Sequence, residues 1–582
     1  MTAVRFLAFA GEPERLSHFL SGLVPDGRRP PRLNRIFDAP DLVVFASPET
    51  PYLELQEERG LLLGRLFRAS DSWDRIETLS LSESRHAAWS GGKSLLAGSW
   101  GNYVAFLRDE HRVAVVRDPS AAVPAFHCDL DGVQVHFSDL DLCGDLGLGI
   151  LPVDEEFLRQ WLTWPYLRTA RTGLADIKEL VPGTIHRPGG GHSAIETAWT
   201  PWAAAAPDRR IADFEEAAAR VRATVLGTVA VQLATFDRLL LELSGGLDSS
   251  IVAAALAASD MRVPAVNFAT LMPDGDERSY ARIVAAHLGF HLTEVEEDRR
   301  PLDLRPPEQA MLRPPLSPVL QPLNRALCDV ARRSGAKGFV TGAGGDNLFC
   351  YLTTASPIID AVRGLGLARA LRSTLGDVAA LGGCTIWTAA HYALRKRLSQ
   401  GRRPAWKEDR RFLSDEAVAE RMDPHPWLEA PVDAPPGKRE HVASLVRAHH
   451  FMAPQYLSGE RLIHPLINQP LMELCLRIPT WLWVRGGRNR AVARRAFEDL
   501  LPAEAIHRRT KGRLESMCAR AFTENRRPLE ELLLGGELAA RRLIDVPAVE
   551  SYLRGTGPAR DEDYFRLFDL ASLELWLRAR GR

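Results

Sequence analysis

The sequence predicts an α/β protein in two parts: a β-rich amino-terminal region, then a doubly wound parallel sheet with helical additions. Three observations carry this expectation. Short alternating apolar stretches separated by turn residues fill residues 1 to about 200. A long helical stretch over residues 213–235 then changes the pattern. Beyond it, short apolar strands alternate with helices, the order that builds a parallel sheet.

The amino-terminal strands are expected at residues 4–9, 42–46, 103–107 and 113–116. The segment 200–210 carries four consecutive alanines and Pro207 and reads as the linker, so domains are expected at 1–200 and 211–582. Residues 239–243, 263–268 and 337–341 read as strands of the second domain, the first two each followed by a helical pattern. The Arg- and Lys-rich stretch 395–411 reads as a solvated face or loop. No internal repeat is evident.

Composition bounds the function classes. A chain of 582 residues holds about two to four domains and can bury a sizeable core. Lys and Arg number 73 against 74 Asp and Glu, a net charge of -1 that argues against coating nucleic acid or an anionic membrane. The seven cysteines form no CxxC pair and are odd in number, which speaks against a zinc cage or a disulfide framework. The apolar stretch before Glu12 is too short for a signal peptide, and no run approaches the ~18 apolar residues of a membrane span. A cytoplasmic protein that binds neither nucleic acid nor membrane is expected.

The motif that carries chemistry is LLLELSGGLDSSIVAAALAA, residues 239–258. An apolar strand ends at Leu243, the loop Ser244, Gly245, Gly246, Leu247, Asp248, Ser249, Ser250 follows, and a small-residue helix begins. Glycines let backbone approach a polyanion, and N–H groups at a helix N-terminus attract negative charge. Ser244, Ser249 and Ser250 add hydroxyl donors. An Asp within a phosphate loop repels phosphate unless a cation intervenes, so Asp248 implies Mg²⁺. The lysine of a Walker loop is missing. The second glycine-rich loop, Thr341, Gly342, Ala343, Gly344, Gly345, Asp346, Asn347, again follows an apolar strand. Two carboxylates at the carboxyl ends of parallel strands can meet over one crevice.

The first loop resembles the SGGxDS pyrophosphate loop of the ATP-pyrophosphatase superfamily, and the chain as a whole is similar to asparagine synthetases. That resemblance implies ATP cleavage between the α and β phosphates and AMP transfer to a carboxyl oxygen. It implies Asp248 and Asp346 as magnesium ligands, and Lys511, in RRTKGRLES, as the lysine that meets the phosphates and stabilises charge in amide formation. ATP would then lie along the strand ends, its triphosphate over 244–250 and its adenine against backbone near Leu243, Phe268 to Thr270 and Thr341 to Gly342. SWGNYVAFL from Ser99, RDPSAAVPAFH from Arg117 and LVPGTI from Leu180 resemble the family's amino-terminal glutaminase-like (Ntn-type) α+β domain.

Departures from the pattern refine the expectation. Glutamine-using members carry a cysteine directly after the initiator methionine; here that residue is Thr2, so the domain reads as a glutaminase fold without glutaminase activity. Another amine must then replace ammonia. β-Lactam synthetases carry a tyrosine in the second loop where this chain has Ala343. The strings AGGDNLFC, HPLINQPLMELCLRIP and GGRNRAVARRAF instead resemble lasso peptide cyclases, with Asn347 where asparagine synthetases have glutamate. A peptide α-amine, with a pKa of about 7.7–8.0, is partly neutral at cell pH and tolerates the missing base. The resemblance implies a leader-free precursor peptide as substrate, with a leader peptidase and a leader-recognition protein as pathway partners. A peptide cavity is expected from helices after residue 350. The alternatives are a β-lactam-type synthetase, a glutamine-independent asparagine synthetase-like enzyme and a non-catalytic nucleotide-binding scaffold.

Overall fold

A computed structural model describes residues 4–23, 33–70, 72–110, 112–189, 193–398, 406–452, 461–509, 512, 514–555 and 563–580. Thr2 and Lys511 lie outside the described residues. The amino-terminal strands are β1 (Phe6–Ala10), β2 (Asn34–Ala39), β3 (Leu42–Ala46), β4 (Tyr52–Glu54), β5 (Gly60–Arg68), β6 (Arg75–Ile76), β7 (Ser99–Asp109), β8 (Arg112–Arg117), β9 (Phe126–Leu130), β10 (Val133–Phe137), β11 (Lys178–Glu179), β12 (Thr184–Arg187) and β13 (Ala194–Thr197). They form two antiparallel sheets, one in the order β11-β9-β10-β1-β3-β2 and one in the order β13-β12-β8-β7-β5-β4 with β6 on β5.

Both faces of these sheets are covered, which explains near-continuous apolar runs where a half-exposed strand would alternate. Alternate residues of β1 face different cores. Phe6, Ala8 and Ala10 meet Leu61, Leu63, Val104, Phe106 and Val115 between the sheets. Leu7 and Phe9 face the other side, where Phe9 meets Phe19 and Phe45, in a core that extends to Leu567 and Phe568 of the carboxy-terminal helix Asp563–Arg580. Phe6 and Phe106 meet edge to face at 5.5 Å, a geometry worth about 0.5–1.5 kcal/mol beyond the buried area. The outer face of the second sheet, with Leu62, Leu66, Tyr103 and Val116, packs into the same core as Val221, Val225 and Val229 of the helix Phe214–Leu233. That helix starts where the 213–235 stretch was expected, capped by Asp213, which accepts from Glu216 N at 2.8 Å.

The segment 200–210, expected as the linker, is packed against the later chain. Thr200 caps a short helix, Pro201–Ala204, in which Pro201 and Ala204 are buried. Trp202 Nε1 donates to Trp427 O at 2.8 Å, and Ile211 N to Arg477 O at 3.0 Å. Alanine and proline content suggested a loose connection; the single Trp202 supplies the apolar body that fastens it.

The second sheet system is parallel, with β14 (Leu239–Glu242), β15 (Ala265–Ala269), β16 (Leu292–Glu296), β17 (Gly338–Val340) and β18 (Arg461–Ile463) in the order β16-β15-β14-β17-β18. The chain winds outward from β14 through β15 to β16, then returns to β17 on the other side. The crevice at the carboxyl ends of β14 and β17 is therefore the topological switch point, where open α/β sheets bind ligands. Three of these strands were expected; β16, half-exposed, and β18, three residues long, were not. The basic stretch 395–411 is only partly a solvated face: Arg395 is exposed, but Trp406 is buried and donates to Pro165 O at 3.0 Å. Among the described residues no helix is long and apolar enough to cross a membrane. Six of the seven cysteines are buried thiols; Cys384 is exposed.

Candidate active site

The first glycine loop leaves β14 and turns into the helix Leu247–Ala258. Gly245 has φ +71°, and a Cβ there would meet Ala281 N at 2.5 Å. Both restrictions exclude a side chain. Gly246 is the helix N-cap and offers no side-chain bond, so the first-turn N–H groups keep their capacity for an anion. The loop braces itself: Ser249 Oγ lies 3.0 Å from Ser244 Oγ and accepts from Ser244 N at 3.2 Å, while Gly246 N donates to Ser244 Oγ at 3.3 Å. Ser250 departs from the expectation of a displayed hydroxyl: it is fully buried, its Oγ without a partner among the described residues.

The second loop leaves β17 and presses against the first. A Cβ on Gly342 would meet Ser249 N at 2.4 Å, and one on Gly345 would meet Asp248 Cγ at 2.4 Å. Thr341 Oγ1 accepts from Ala343 N at 3.1 Å and fixes the turn. Ala343 is exposed at its tip.

This close packing brings Asp248 and Asp346 together, each six residues past the end of its strand. Both converge on one nitrogen. Arg490 Nη1 lies 2.8 and 2.9 Å from the two oxygens of Asp248 and 2.5 Å from Asp346 Oδ1. Arg490 is 8% exposed and adopts φ +53° at the start of the helix Ala491–Ala496. Burial disfavours its charge, but Asp248 and Asp346 outweigh that and raise its pKa above the ordinary arginine value. Carboxylates that close on one guanidinium nitrogen are near enough to share a single cation. Among the described residues no group of three or more His, Cys, Asp or Glu gathers to hold a metal. A metal at this pair would thus complete its shell with phosphate and water oxygens, the usual manner of Mg²⁺. The residues fit that ion.

A second polar knot flanks the first loop. Glu277 pairs with Arg508 Nη2 at 2.7 Å and accepts from Gly512 N at 3.0 Å. The Arg508 guanidinium stacks on Tyr280, 3.9 Å from the ring centre, and Tyr280 is the residue packed against Gly245. Burial, and the charge of Glu277, push the Glu242 carboxyl up, while a hydrogen bond with Thr341 opposes the shift. Next to these groups opens a cavity of about 720 Å³, walled by Tyr351, Thr354, residues of the helices Thr374–Leu381 and Ile386–Leu398, and Arg488, Asn489, Arg494 and Arg508.

The other expected residues are placed as follows. Leu243 N donates to Val266 O at 2.8 Å, and its carbonyl accepts from Asn267 Nδ2 at 2.9 Å. Thr270 is buried with Oγ1 donating to Met272 O at 2.8 Å. Phe268 packs its side chain against core clusters, so only its backbone is at the strand ends. Thr341 and Gly342 stand at the switch point itself. Sequence reasoning missed Arg490, Glu277 and Arg508. Arg490 sits in an arginine-rich string whose burial the sequence does not reveal. Glu277 precedes a helix after β15, just as Asp248 and Asp346 follow their strands, and that parallel was the available signal.

The family model described as asparagine synthase matches residues 220–578. None of the curated proteins matches the chain. Among solved structures, one described as the allosteric regulatory enzyme of purine biosynthesis is 11% identical, covering 58% of this chain and 84% of that one at a TM-score of 0.21. A glutamine phosphoribosylpyrophosphate amidotransferase from B. subtilis, complexed with ADP and GMP, is 12% identical, covering 58% and 74% at 0.20. Those TM-scores are too low to argue from. The family span, by contrast, contains both glycine loops, the Asp248–Asp346 pair and Arg490: the chain belongs to the asparagine synthase family, ATP-dependent ligases that form amide bonds and in general use Mg²⁺.

Proposed function

We propose that the chain is an ATP-dependent lasso peptide cyclase. In this reading an Asp or Glu side-chain carboxylate of a leader-free precursor attacks the α-phosphorus of ATP, and pyrophosphate leaves. The precursor's own N-terminal amine then attacks the acyl-adenylate carbonyl, loses a proton and expels AMP. The product is an isopeptide macrolactam. The observation that carries the adenylation half is the convergence of Asp248 and Asp346 at the switch point, beside a loop built for phosphate. The cavity of about 720 Å³ beside the loops has room for a peptide segment.

The roles follow from chemistry. The first-turn N–H groups after Gly246 would hold the triphosphate. Asp248 and Asp346 would hold Mg²⁺, with Arg490 withdrawing from between them; the ion would neutralise charge on the phosphate oxygens as the α–β bond breaks. Lys511 is proposed to meet the phosphates and stabilise the oxyanion of the second step. Closing a ring of about eight residues costs roughly 2 kcal/mol plus a constant. Ordering a threaded tail of about ten residues costs on the order of 10–20 kcal/mol. ATP makes the bond, whereas the cavity must hold the chain in place. Well-placed groups reach effective molarities of order 10⁵–10⁸ M, which lets the amine outrun water at the adenylate.

Residues 1–200 are proposed as an inactive amidotransferase-like domain and 211–582 as the synthetase domain. The two covered antiparallel sheets support a glutaminase-like arrangement, and Thr2 at the second position supports its inactivity. The precursor peptide, a leader peptidase and a leader-recognition protein are the proposed partners, and the cytoplasm the proposed location. The test is direct: the purified chain, MgATP and a short precursor encoded beside its gene, with AMP, pyrophosphate and product mass measured together. A dehydrated peptide without added glutamine or ammonium is the expected result. A product that gains ammonia, or AMP release driven only by a small amino acid derivative, would assign a different ligase.

A further inference from the structure

The helix Ile386–Leu398 turns small residues inward and large ones outward. Ala389 and Ala393 are its buried residues, whereas Trp387, Leu394 and Leu398 are 78%, 58% and 73% exposed. With the exposed His391 they fall at i, i+4, i+7 and i+11 and form one stripe along the helix. A helix that only covered a core would carry the reverse arrangement. Single exposed apolar side chains need no explanation, but a row of them on one face marks a docking surface. Residues 399–405, which follow, include no large apolar side chain to cover the stripe. The surroundings are cationic. Residues 361–398 hold Arg363, Arg369, Arg372, Arg395, Lys396 and Arg397 against a single acid, Asp377, in a chain whose net charge is -1. Asp377 is half-buried and accepts from the backbone of Gly486 and Gly487. Lys396 pairs with Glu440, and the five arginines are exposed. A helix C-terminus favours basic residues, which accounts for Arg395 to Arg397 but not for the apolar stripe beside them.

We propose that this face seats the chain on an anionic lipid surface. The helix lies in the plane of the headgroups, with Trp387, Leu394 and Leu398 entering the acyl boundary and Arg395 and Arg397 meeting lipid phosphates. At 3.6 residues per turn the two arginines flank the stripe, one on each side. An indole at headgroup level, leucines below it and cations at the edges are the residue set of interfacial helices. At 13 residues the helix is about 20 Å long, and among the described residues no helix is long and apolar enough to cross a membrane, so this one lies on the surface. A second copy of the chain suits the face less well, because a two-fold contact would lay the same arginines against each other. The expectation of no membrane partner rested on the net charge of the whole chain, which averages this cluster away. The proposal is independent of the ligase reading and adds a partner to it.

Flotation of the full chain with lipid vesicles tests this without turnover. Vesicles of phosphatidylglycerol and phosphatidylcholine in equal parts should carry the wild type up the gradient, and pure phosphatidylcholine vesicles should bind it about tenfold less. Each basic side chain near an anionic surface is worth about fivefold, so Arg395→Gln together with Arg397→Gln should weaken binding by roughly twentyfold. Trp387→Gln together with Leu394→Gln should weaken it by about tenfold or more, with melting like that of the wild type because both side chains are exposed. Leu398→Gln alone should give a smaller loss and covers the case in which the double variant folds poorly. Trp89→Gln is the control: its indole is 74% exposed in the amino-terminal region, and the variant should bind like the wild type. Absence of wild-type flotation with the anionic vesicles overturns the proposal. So does flotation that the apolar substitutions leave unchanged, which would be charge attraction alone. A wild-type dimer that Trp387→Gln with Leu394→Gln turns into a monomer, with no vesicle binding by either, would give the face to a second copy and overturn the lipid assignment.

Discussion

Gly345 stands so close to Asp248 that a Cβ on the glycine would meet the aspartate's carboxyl carbon at 2.4 Å. The two glycine loops are thus not merely neighbours: the second is a wall that fixes where the first loop's carboxylate points. Gly345→Ala should push Asp248 away from Arg490 and from any shared cation. A displacement near 1 Å at a reacting centre costs about a hundredfold in rate. AMP release by the variant should fall by that order, while far-UV circular dichroism stays that of the wild type. Full activity would mean that Asp248 has no fixed position to lose.

Asp346→Asn removes one of the two carboxylates that face Arg490 Nη1, at 2.5 Å. Arg490 keeps both oxygens of Asp248, so the fold should tolerate the change. Melting should move by no more than about 2 °C. AMP release should drop by roughly 10²–10³. A large loss of stability with retained turnover would make Asp346 a structural anion and not a magnesium ligand.

The parts of this arrangement that sequence revealed are those set by local rules. The run LLLELSGGLDSS shows strand, loop and helix start in order, and Asp248 with Asp346 could be paired because each follows a strand of a parallel sheet. The strand order was not legible, because β18 is three residues long and pairs with β17 across more than a hundred residues. Arg490 was hidden for the same reason: its burial against Asp248 depends on a contact spanning 242 positions. Trp202 shows what composition does not reveal: the segment expected to link the domains is fastened by a long-range hydrogen bond to Trp427.

Glu179 is the hub of a buried cluster that joins the amino-terminal sheets to the later chain. Arg117, Arg168 and Arg313 bind it at 2.8, 2.7 and 3.1 Å. Burial opposes its charge, yet Arg168, Arg313 and Arg117 hold the carboxyl well below its ordinary value. A depressed carboxyl contributes stability above its unfolded pKa and loses it as pH falls. Glu179→Gln leaves three buried guanidinium groups facing one another and should cost about 3–5 kcal/mol at pH 7. The difference from wild type should shrink as pH falls below ~4.3, because the carboxyl of the unfolded chain takes up a proton there while the folded one stays charged until lower pH. Urea unfolding at a series of pH values measures this; a gap independent of pH would contradict the ion-pair account.

Thr2→Ala should leave ring closure unchanged, because no chemistry is assigned to that position. Glutamine should neither be hydrolysed nor raise the rate in either protein. Glutamine hydrolysis by the wild type that disappears in the variant would restore an active amidotransferase and make ammonia the nucleophile.

The central claim is that a peptide carboxylate is adenylated and then captured by the same peptide's amine. A precursor labelled with heavy oxygen at both oxygens of the acceptor carboxylate tests it most directly. Adenylation moves one carboxyl oxygen into AMP, so mass spectrometry should find one heavy oxygen in the AMP released for each macrolactam formed. The peptide should lose the mass of one heavy-oxygen water, with one heavy oxygen remaining in the new amide. Unlabelled AMP, or labelled AMP with an uncyclised peptide in which one heavy oxygen has been replaced by a light one from water, would contradict the account: the first denies adenylation, and the second denies capture by the amine.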